Sequence, residues 1–302
     1  IAGITAGFLA VGITYAVLST PQYIAGAMIQ IEPKKNALTA VAETVVRPNS
    51  ASPAVAEIEL LKSRAVLTKT VENLRLDIEA KPRFFPLIGH YLWRHYEAEK
   101  PGQLADSWSQ LRGFAWGGEQ IDVFQFDVPD DMYGETLTVV AGSNGRYRLL
   151  DKDKQPLLDG QVGQLASGNG YRMQIKTLTA RPGTEFKVTR NRVITTAQLY
   201  QNRIKTSEAG KESGIIYLSL ADENPDLAKS VLSEISRLYV LQNVERSSAE
   251  AAQRLDFLRG QLPAVRKDLE SAEAALNNYQ TNSRSVDISL ETKAVLDKIV
   301  TL

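Results

Sequence analysis

Leu137-Thr-Val-Val-Ala-Gly-Ser-Asn-Gly-Arg-Tyr-Arg-Leu-Leu150 reads as two β-runs folded back on each other. Residues 137–141 and 146–150 carry the β-formers. Gly142-Ser143-Asn144-Gly145 between them supplies residues that accept a tight turn, a strong hairpin signal. Working outward, residues 121–128 form a further run, with Phe124, Phe126 and Val128 expected on one face. Residues 171–179 form another, preceded by the turn Ser167-Gly168-Asn169-Gly170. Short strands with turns at this spacing predict a β-sandwich of jelly-roll type over residues 108–181. Trp108, Phe114 and Trp116 fit the core or seam of that body better than a sugar-stacking platform.

The flanks have another texture. Residues 22–32 alternate, with Tyr23, Ala25, Ala27, Ile29 and Ile31 on one side of a strand. Residues 33–52 lean on Ala, Asn, Pro, Thr and Ser and read as a loop. A helix starts at Ser52-Pro53, is interrupted near Ser63, and continues over 66–76. Beyond the insertion, residues 185–190 read as a strand, 194–205 as a helix and 214–220 as a strand. Asn224-Pro225-Asp226 then caps a long helix. The expected fold class is α+β: one α/β domain, 21–107 and 182–224, interrupted by the β-sandwich.

Both ends of the sequence point to anchoring and assembly. Residues 1–31 carry no charge. The apolar run 1–18 would be about 27 Å long as a helix, against about 30 Å of bilayer hydrocarbon. Residues 1–20 are therefore expected to be a transmembrane helix. Gly3 and Gly7 have the spacing that lets membrane helices approach closely. In the other direction, Leu255, Leu262, Leu269 and Leu276 stand seven apart, and Leu258, Val265, Ala272 and Tyr279 follow each by three. These are four heptads of a and d positions, with Arg254, Arg259, Arg266, Asp268 and Glu273 beside the seam. Pro263 predicts a kink near Gly260. Polar residues 281–285 break the pattern and 290–302 restart it. Residues 225–302 therefore predict a long helix and the start of an antiparallel coiled-coil hairpin.

Composition removes most chemistries. The chain has 302 residues, no Cys and two His, with 35 basic and 35 acidic residues. Zero net charge argues against a nucleic-acid coat. The lack of Cys removes disulfides, thiol catalysis and iron–sulfur ligation. His90 and His95 are five apart, off the face-sharing spacing of a helix. Asp151-Lys152-Asp153 near Asp159-Gly160 departs from the EF-hand pattern at Pro156 and Val162 and reads as a turn. Gly210-Lys211 lacks both the upstream glycine and the following hydroxyl of a P-loop. No Gly-x-Ser-x-Gly occurs. No catalytic, cofactor-binding or metal residue is assigned. Glu57, Glu59, Lys62 and Arg64 are the candidate oligomer contact, because alternating charges can pair across a heterologous interface.

Ordered motifs then carry a resemblance. Glu57-Ile-Glu-Leu-Leu-Lys-Ser-Arg64, Val66-Leu67 and Asn73-Leu-Arg-Leu-Asp77 resemble the N-terminal motif of the Wzz chain-length determinants, as does Pro21-Gln-Tyr23 after an apolar helix. Phe84-Phe85-Pro86-Leu87-Ile88-Gly89, Gly183-Thr184-Glu185-Phe186, Asn243-Val-Glu-Arg246, Leu255-x-Phe257-Leu258, Gln261-Leu262-Pro263, Ser285-Val-Asp287 and Glu291-x-Lys293-Ala-Val-Leu296 resemble the Wzc-type branch.

The resemblance implies an inner-membrane polysaccharide co-polymerase, most of this chain lying in the periplasm. It implies a homo-oligomeric ring, usually an octamer, in contact with membrane lipid and nascent polysaccharide. A Wzy polymerase and a Wza outer-membrane exporter are the implied partners. A second membrane helix and a cytoplasmic tyrosine autokinase using ATP and Mg are expected outside these residues. Two alternatives stay open: a kinase-less Wzz-type regulator of O-antigen length, and a periplasmic adaptor of a secretion or efflux system. An adaptor is expected to place paired glycine-rich strands around its hairpin, and none flank residues 225–302.

Overall fold

Thr136–Ala141 (β4) and Arg146–Leu150 (β5) pair antiparallel, Thr138 opposite Leu150 and Ala141 opposite Tyr147. The turn between them places Asn144 at φ 57° and Gly145 at φ 72°, the left-handed region that Asn and Gly tolerate best. This is a computed structural model describing residues 2–31, 53–100, 102–106, 111–210, 213–282 and 288–301. The loop read over 33–52, the Ser52 cap, Trp108, Lys211 and residues 283–287 lie outside the described residues. The chain divides into two units, 1–239 and 240–302.

Within the first unit, β4 and β5 belong to a five-stranded sheet of order β2-β9-β4-β5-β6, with β2 Ile78–Pro82, β9 Glu185–Arg190 and β6 Pro156–Gln161. A three-stranded sheet, β3-β8-β7, faces it, with β3 Gln120–Asp127, β7 Leu165–Gly168 and β8 Tyr171–Thr179. Phe126, Leu137, Val139, Leu149, Met173, Ile175, Phe186 and Val188 fill the space between. Each such side chain contributes about 1.5–3 kcal/mol on burial. Tyr147 donates its hydroxyl to Met173 O at 3.0 Å inside this core, and burial pushes its pKa up to about 12. Its ring lies over Gly160, where a Cβ would fall 2.3 Å from the ring, so only glycine fits opposite it.

The sandwich is wider than the expected 108–181. The strand over 185–190, read from sequence as part of the second α/β segment, lies between β2 and β4. Val188 and Phe186 point into the sandwich core, and that burial decides the membership. Phe124 is a second difference. Register shifts on either side of Val123 leave it without a cross-strand partner, and it turns outward, 49% exposed, while Phe126 stays buried. A bulge reverses the expected alternation from that point.

The α/β part has a three-stranded sheet of order β1-β11-β10, with β1 Tyr23–Gln30, β10 Lys205–Glu208 and β11 Ile215–Asp222. Ala25, Ala27, Ile29 and Ile31 face the core, as their alternation requires. Helices α2 Pro53–Leu61, α3 Arg64–Leu74 and α5 Val193–Arg203 contribute Leu61, Leu67, Val71 and Ala197 to that core. The break between α2 and α3 is a capping event: Ser63 Oγ accepts from Val66 N at 3.4 Å. Short α4, Gly89–His95, lies between β2 and β3 in sequence. Helix α6, Pro225–Asn282, starts at Asn224, whose Oδ1 accepts from Asp226 N at 3.0 Å and Leu227 N at 3.1 Å. Its first turns bury Ala228, Val231, Leu232, Ile235 and Tyr239 against the sheet. The chain leaves the α/β part at Asp77 and returns at Asn191, where Asn191 N donates to Asp77 O at 2.7 Å.

Helix α1, Ala2–Leu18, has 17 residues. Pro21 and the polar pair Ser19-Thr20 end it, with Ser19 Oγ donating to Ala16 O at 2.9 Å. The transmembrane helix expected over 1–20 is thus a shorter helix; among the described residues no helix is long and apolar enough to cross a membrane.

In the second unit, α6 runs through Pro263 as one helix, and α7 follows at Ile288–Val300. The expected hairpin seam is uncovered here. Leu255, Leu258, Leu262, Val265, Leu269, Leu276 and Tyr279 are all more than half exposed, and Ala272 is exposed as well. Val295, Leu296 and Ile299 of α7 are exposed too, so α7 does not close the seam within one chain.

Candidate functional site

The charged turn joining α2 to α3 divides its roles by direction. Glu57 is half-buried and accepts from the Tyr239 hydroxyl at 2.9 Å, which fastens α2 to the start of α6. The Lys62 carbonyl accepts from Gln201 Nε2 at 3.0 Å, fastening the same turn to α5. Glu59 and Arg64 are exposed. The four residues taken together from sequence as an oligomer contact therefore comprise two that also secure the chain internally and two that face outward.

The joint between the α/β part and the sandwich was not read from sequence. Arg75 ends α3 in the left-handed conformation, φ 52°. From there its guanidinium sits 4.5 Å over the Phe124 ring and donates to Phe124 O at 3.0 Å. The bulge that expels Phe124 is what makes this contact possible. Beside it, buried Asp77 pairs with Arg190 Nη1 at 2.7 Å. Burial raises the Asp77 pKa, and Arg190 opposes that rise. On the other side Arg203 pairs with Asp222 at 2.5 Å and lies over the Tyr200 ring. Burial raises the Tyr200 pKa.

Arg75, Tyr200, Arg203 and Asp222 border a cleft of about 1030 Å³, lined also by Lys81, His90, Trp93 and Arg94. Its charges are of both signs, and Arg203 and Asp222 are committed to each other. Among the described residues no group of His, Cys, Asp and Glu is arranged to hold a metal ion. His90 Nδ1 lies 3.4 Å from Thr20 Oγ1, and His95 Nδ1 lies 2.9 Å from Tyr91 O, so the two imidazoles serve separate contacts. Asp151 is a turn residue: its Oδ1 accepts from Asp153 N at 2.9 Å and Gln155 N at 2.7 Å.

An aromatic cluster stands at one end of the cleft. Phe84 contacts His90 and Trp93 at centroid distances of 4.7 and 5.4 Å, and Phe85 contacts Phe114 and Trp116 at 5.4 and 5.6 Å. Phe114 and Trp116 thus form part of a packed seam, as their sequence setting suggested. The buried carboxylate of Glu119 holds the loop below them. It accepts from Trp116 N at 3.1 Å and Gly117 N at 2.7 Å and pairs with Arg181. Trp93 Nε1 donates to Glu119 O at 3.1 Å. Gly117, at φ 155°, lets the Tyr96 ring sit where a Cβ would be. The Gly117-Gly118-Glu119 run was the signal available for this pin.

Comparison with known proteins adds to this geometry. Residues 1–74 match the family model described as chain length determinant protein, Wzz, and residues 78–191 match the N-terminal domain of tyrosine-protein kinase Wzc. EpsB of Ralstonia solanacearum is 38% identical over 308 residues, covering 100% of this chain and 40% of that protein. Tyrosine-protein kinase Etk of Escherichia coli K12 is 35% identical, covering 99% of this chain and 39% of its own length. Tyrosine-protein kinase Wzc of Salmonella typhimurium LT2 is 34% identical, with the same shares of 99% and 39%. The chain spans about 40% of the length of these relatives. The first match ends at residue 74 and the second runs from 78 to 191, close to Asp77 and Asn191, between which the sandwich is set. The chain belongs to the Wzc-type family within the Wzz chain-length determinants and carries both of its N-terminal domains.

Proposed function

We propose that this chain is the membrane-anchored, periplasmic part of an inner-membrane polysaccharide co-polymerase. In this reading it assembles as a homo-oligomeric ring, an octamer by family resemblance, and sets the length and export of a capsular or exopolysaccharide. The consecutive match of residues 1–74 and 78–191 to the Wzz and Wzc N-terminal domains carries the proposal. Helix α1, at 17 residues, is about 26 Å long, and with the uncharged residues around it serves as the anchor. The heptad face of α6 is the coiled-coil seam, and Glu59 and Arg64 contribute to the contact between adjacent bodies.

The relatives named as tyrosine kinases favour a kinase-bearing protein over the kinase-less Wzz-type regulator. ATP and Mg act at that kinase, outside the residues described, and a Wzy-type polymerase and Wza-type exporter are its partners. Phosphorylation adds negative charge on the cytoplasmic side and drives subunits between assembled and separated states.

The test replaces the gene with one encoding Glu59→Lys and Arg64→Glu. Both residues are exposed, so the fold is retained while the contact is reversed. The expected result is joint loss of the ring in detergent and of high-molecular-weight polymer. Normal polymer from a clean deletion strain would sink the assignment. A lost ring with normal polymer would sink it as well, because the ring would then not set the length.

A further inference from the structure

Among the described residues no element covers Leu87, Ile88 or Leu92, although they lie beside a crowded aromatic cluster. Leu87 is 86% exposed and held at φ 68°, a backbone region that bulky residues avoid. Ile88 and Leu92, one helical turn apart, are exposed as well, Leu92 at 41%. The opposite side of α4 is tightly held. Gly89 packs on Phe84 and Phe85, His90 and Trp93 lie against Phe84, and Trp93 Nε1 is bonded to Glu119 O. The helix is therefore fixed by one face and offers leucine and isoleucine on the other.

Its position gives that face a setting. Arg94 Nη1 donates to Ser19 O at 3.5 Å, and His90 Nδ1 lies 3.4 Å from Thr20 Oγ1. Residues 19 and 20 directly follow the apolar helix α1. Helix α4 thus stands beside the point where α1 ends. Arg94 and His95 occupy the last turn of α4, and Tyr91 is half-buried, its ring 4.2 Å from that of His95. Apolar side chains with aromatic and basic residues at their edge are what the zone between lipid headgroups and acyl chains accommodates.

We infer that residues 87–92 are a second membrane contact, seated in the headgroup zone of the bilayer that α1 enters. The inference rests on the reading of α1 as an anchor. It assigns to the segment a bracing role: α1 fixes the depth of the body, and Leu87 and Leu92 fix its tilt, because two points of attachment define an orientation that one does not.

The experiment uses the full-length protein, carrying a single engineered cysteine, in vesicles of phosphatidylethanolamine and phosphatidylglycerol. This chain contributes no competing thiol. An environment-sensitive fluorophore is placed in turn at Leu87→Cys, Leu92→Cys, Leu165→Cys and Phe8→Cys. Lipids carrying a nitroxide near the headgroup or deep in the acyl chain are the quenchers. The expected result is several-fold stronger quenching by the shallow nitroxide at Leu87→Cys and Leu92→Cys than at Leu165→Cys, an exposed site on the sandwich. Phe8→Cys is expected to respond to the deep nitroxide. Quenching at Phe8→Cys with none at Leu87→Cys and Leu92→Cys overturns the second contact and leaves the anchor standing. A blue-shifted but unquenched fluorophore at Leu92→Cys assigns the face to a neighbouring protein copy and overturns the lipid assignment. No quenching at Phe8→Cys overturns the anchor and the inference resting on it.

Discussion

His90 stands where a single proton has a structural consequence. Burial lowers its pKa from the ordinary 6.5, outweighing Glu223, which acts in the other direction, while Arg94 and Lys81 add to the lowering. The folded state therefore prefers the neutral ring. As pH falls below 6.5 the unfolded chain takes up the proton first, and the stability present at higher pH is lost through that window. The urea midpoint should fall between about pH 7.5 and pH 5.5, and His90→Phe should flatten that part of the dependence. Equal slopes for both proteins would place the titration elsewhere. Glu119 has a different role, since it satisfies two backbone N–H groups and a guanidinium at once. Glu119→Ala leaves the Arg181 charge without its carboxylate in a mostly buried setting, and should cost about 3–5 kcal/mol in chemical denaturation. A cost below about 1 kcal/mol would mean that solvent replaces the carboxylate.

At the scale of elements, α6 makes the clearest forecast. Leu262 and Leu269 are 67% and 57% exposed, so truncating them removes little packing within one chain. The variant Leu262→Ala, Leu269→Ala should keep the melting temperature of the monomeric body and lose self-association in sedimentation. A buried leucine in the same substitution costs about 2–5 kcal/mol, so a large fall in monomer melting would show that the seam is closed inside the chain. The helical run of α6 was legible because its period is a local pattern, whereas what its exposed leucines pack against is not written in any neighbouring residue. The hairpin at 142–145, the strand at 171–179 and the Asn224 cap were legible for the same reason: turn and cap chemistry are written in neighbouring residues. Phe124 was misplaced because a bulge depends on pairing with β8, distant in sequence. The strand at 185–190 was found but given to the wrong layer, since alternation reports a buried face and not the sheet that buries it. The Asp77–Arg190 and Glu119–Arg181 pairs join residues far apart along the chain and left no periodic trace.

For the whole molecule, the meeting of Asp77 and Asn191 has a consequence for how such a chain is built. Ile78 is paired with Arg190, and the backbone on either side of the sandwich is joined by one hydrogen bond. The two hydrophobic cores do not interleave: one draws on residues 29–76 and 197–239, the other on 123–188. The sandwich is thus a cassette, entered and left through adjacent doors. Replacing residues 78–190 by a short Gly-Ser bridge should leave the α/β part folded, with its helical signal and a cooperative melt retained in circular dichroism. A non-cooperative melt would show that Arg75 and Phe124 bind the two parts into one folding unit. If the cassette is separable, a single insertion into an ancestral gene suffices to give or remove it.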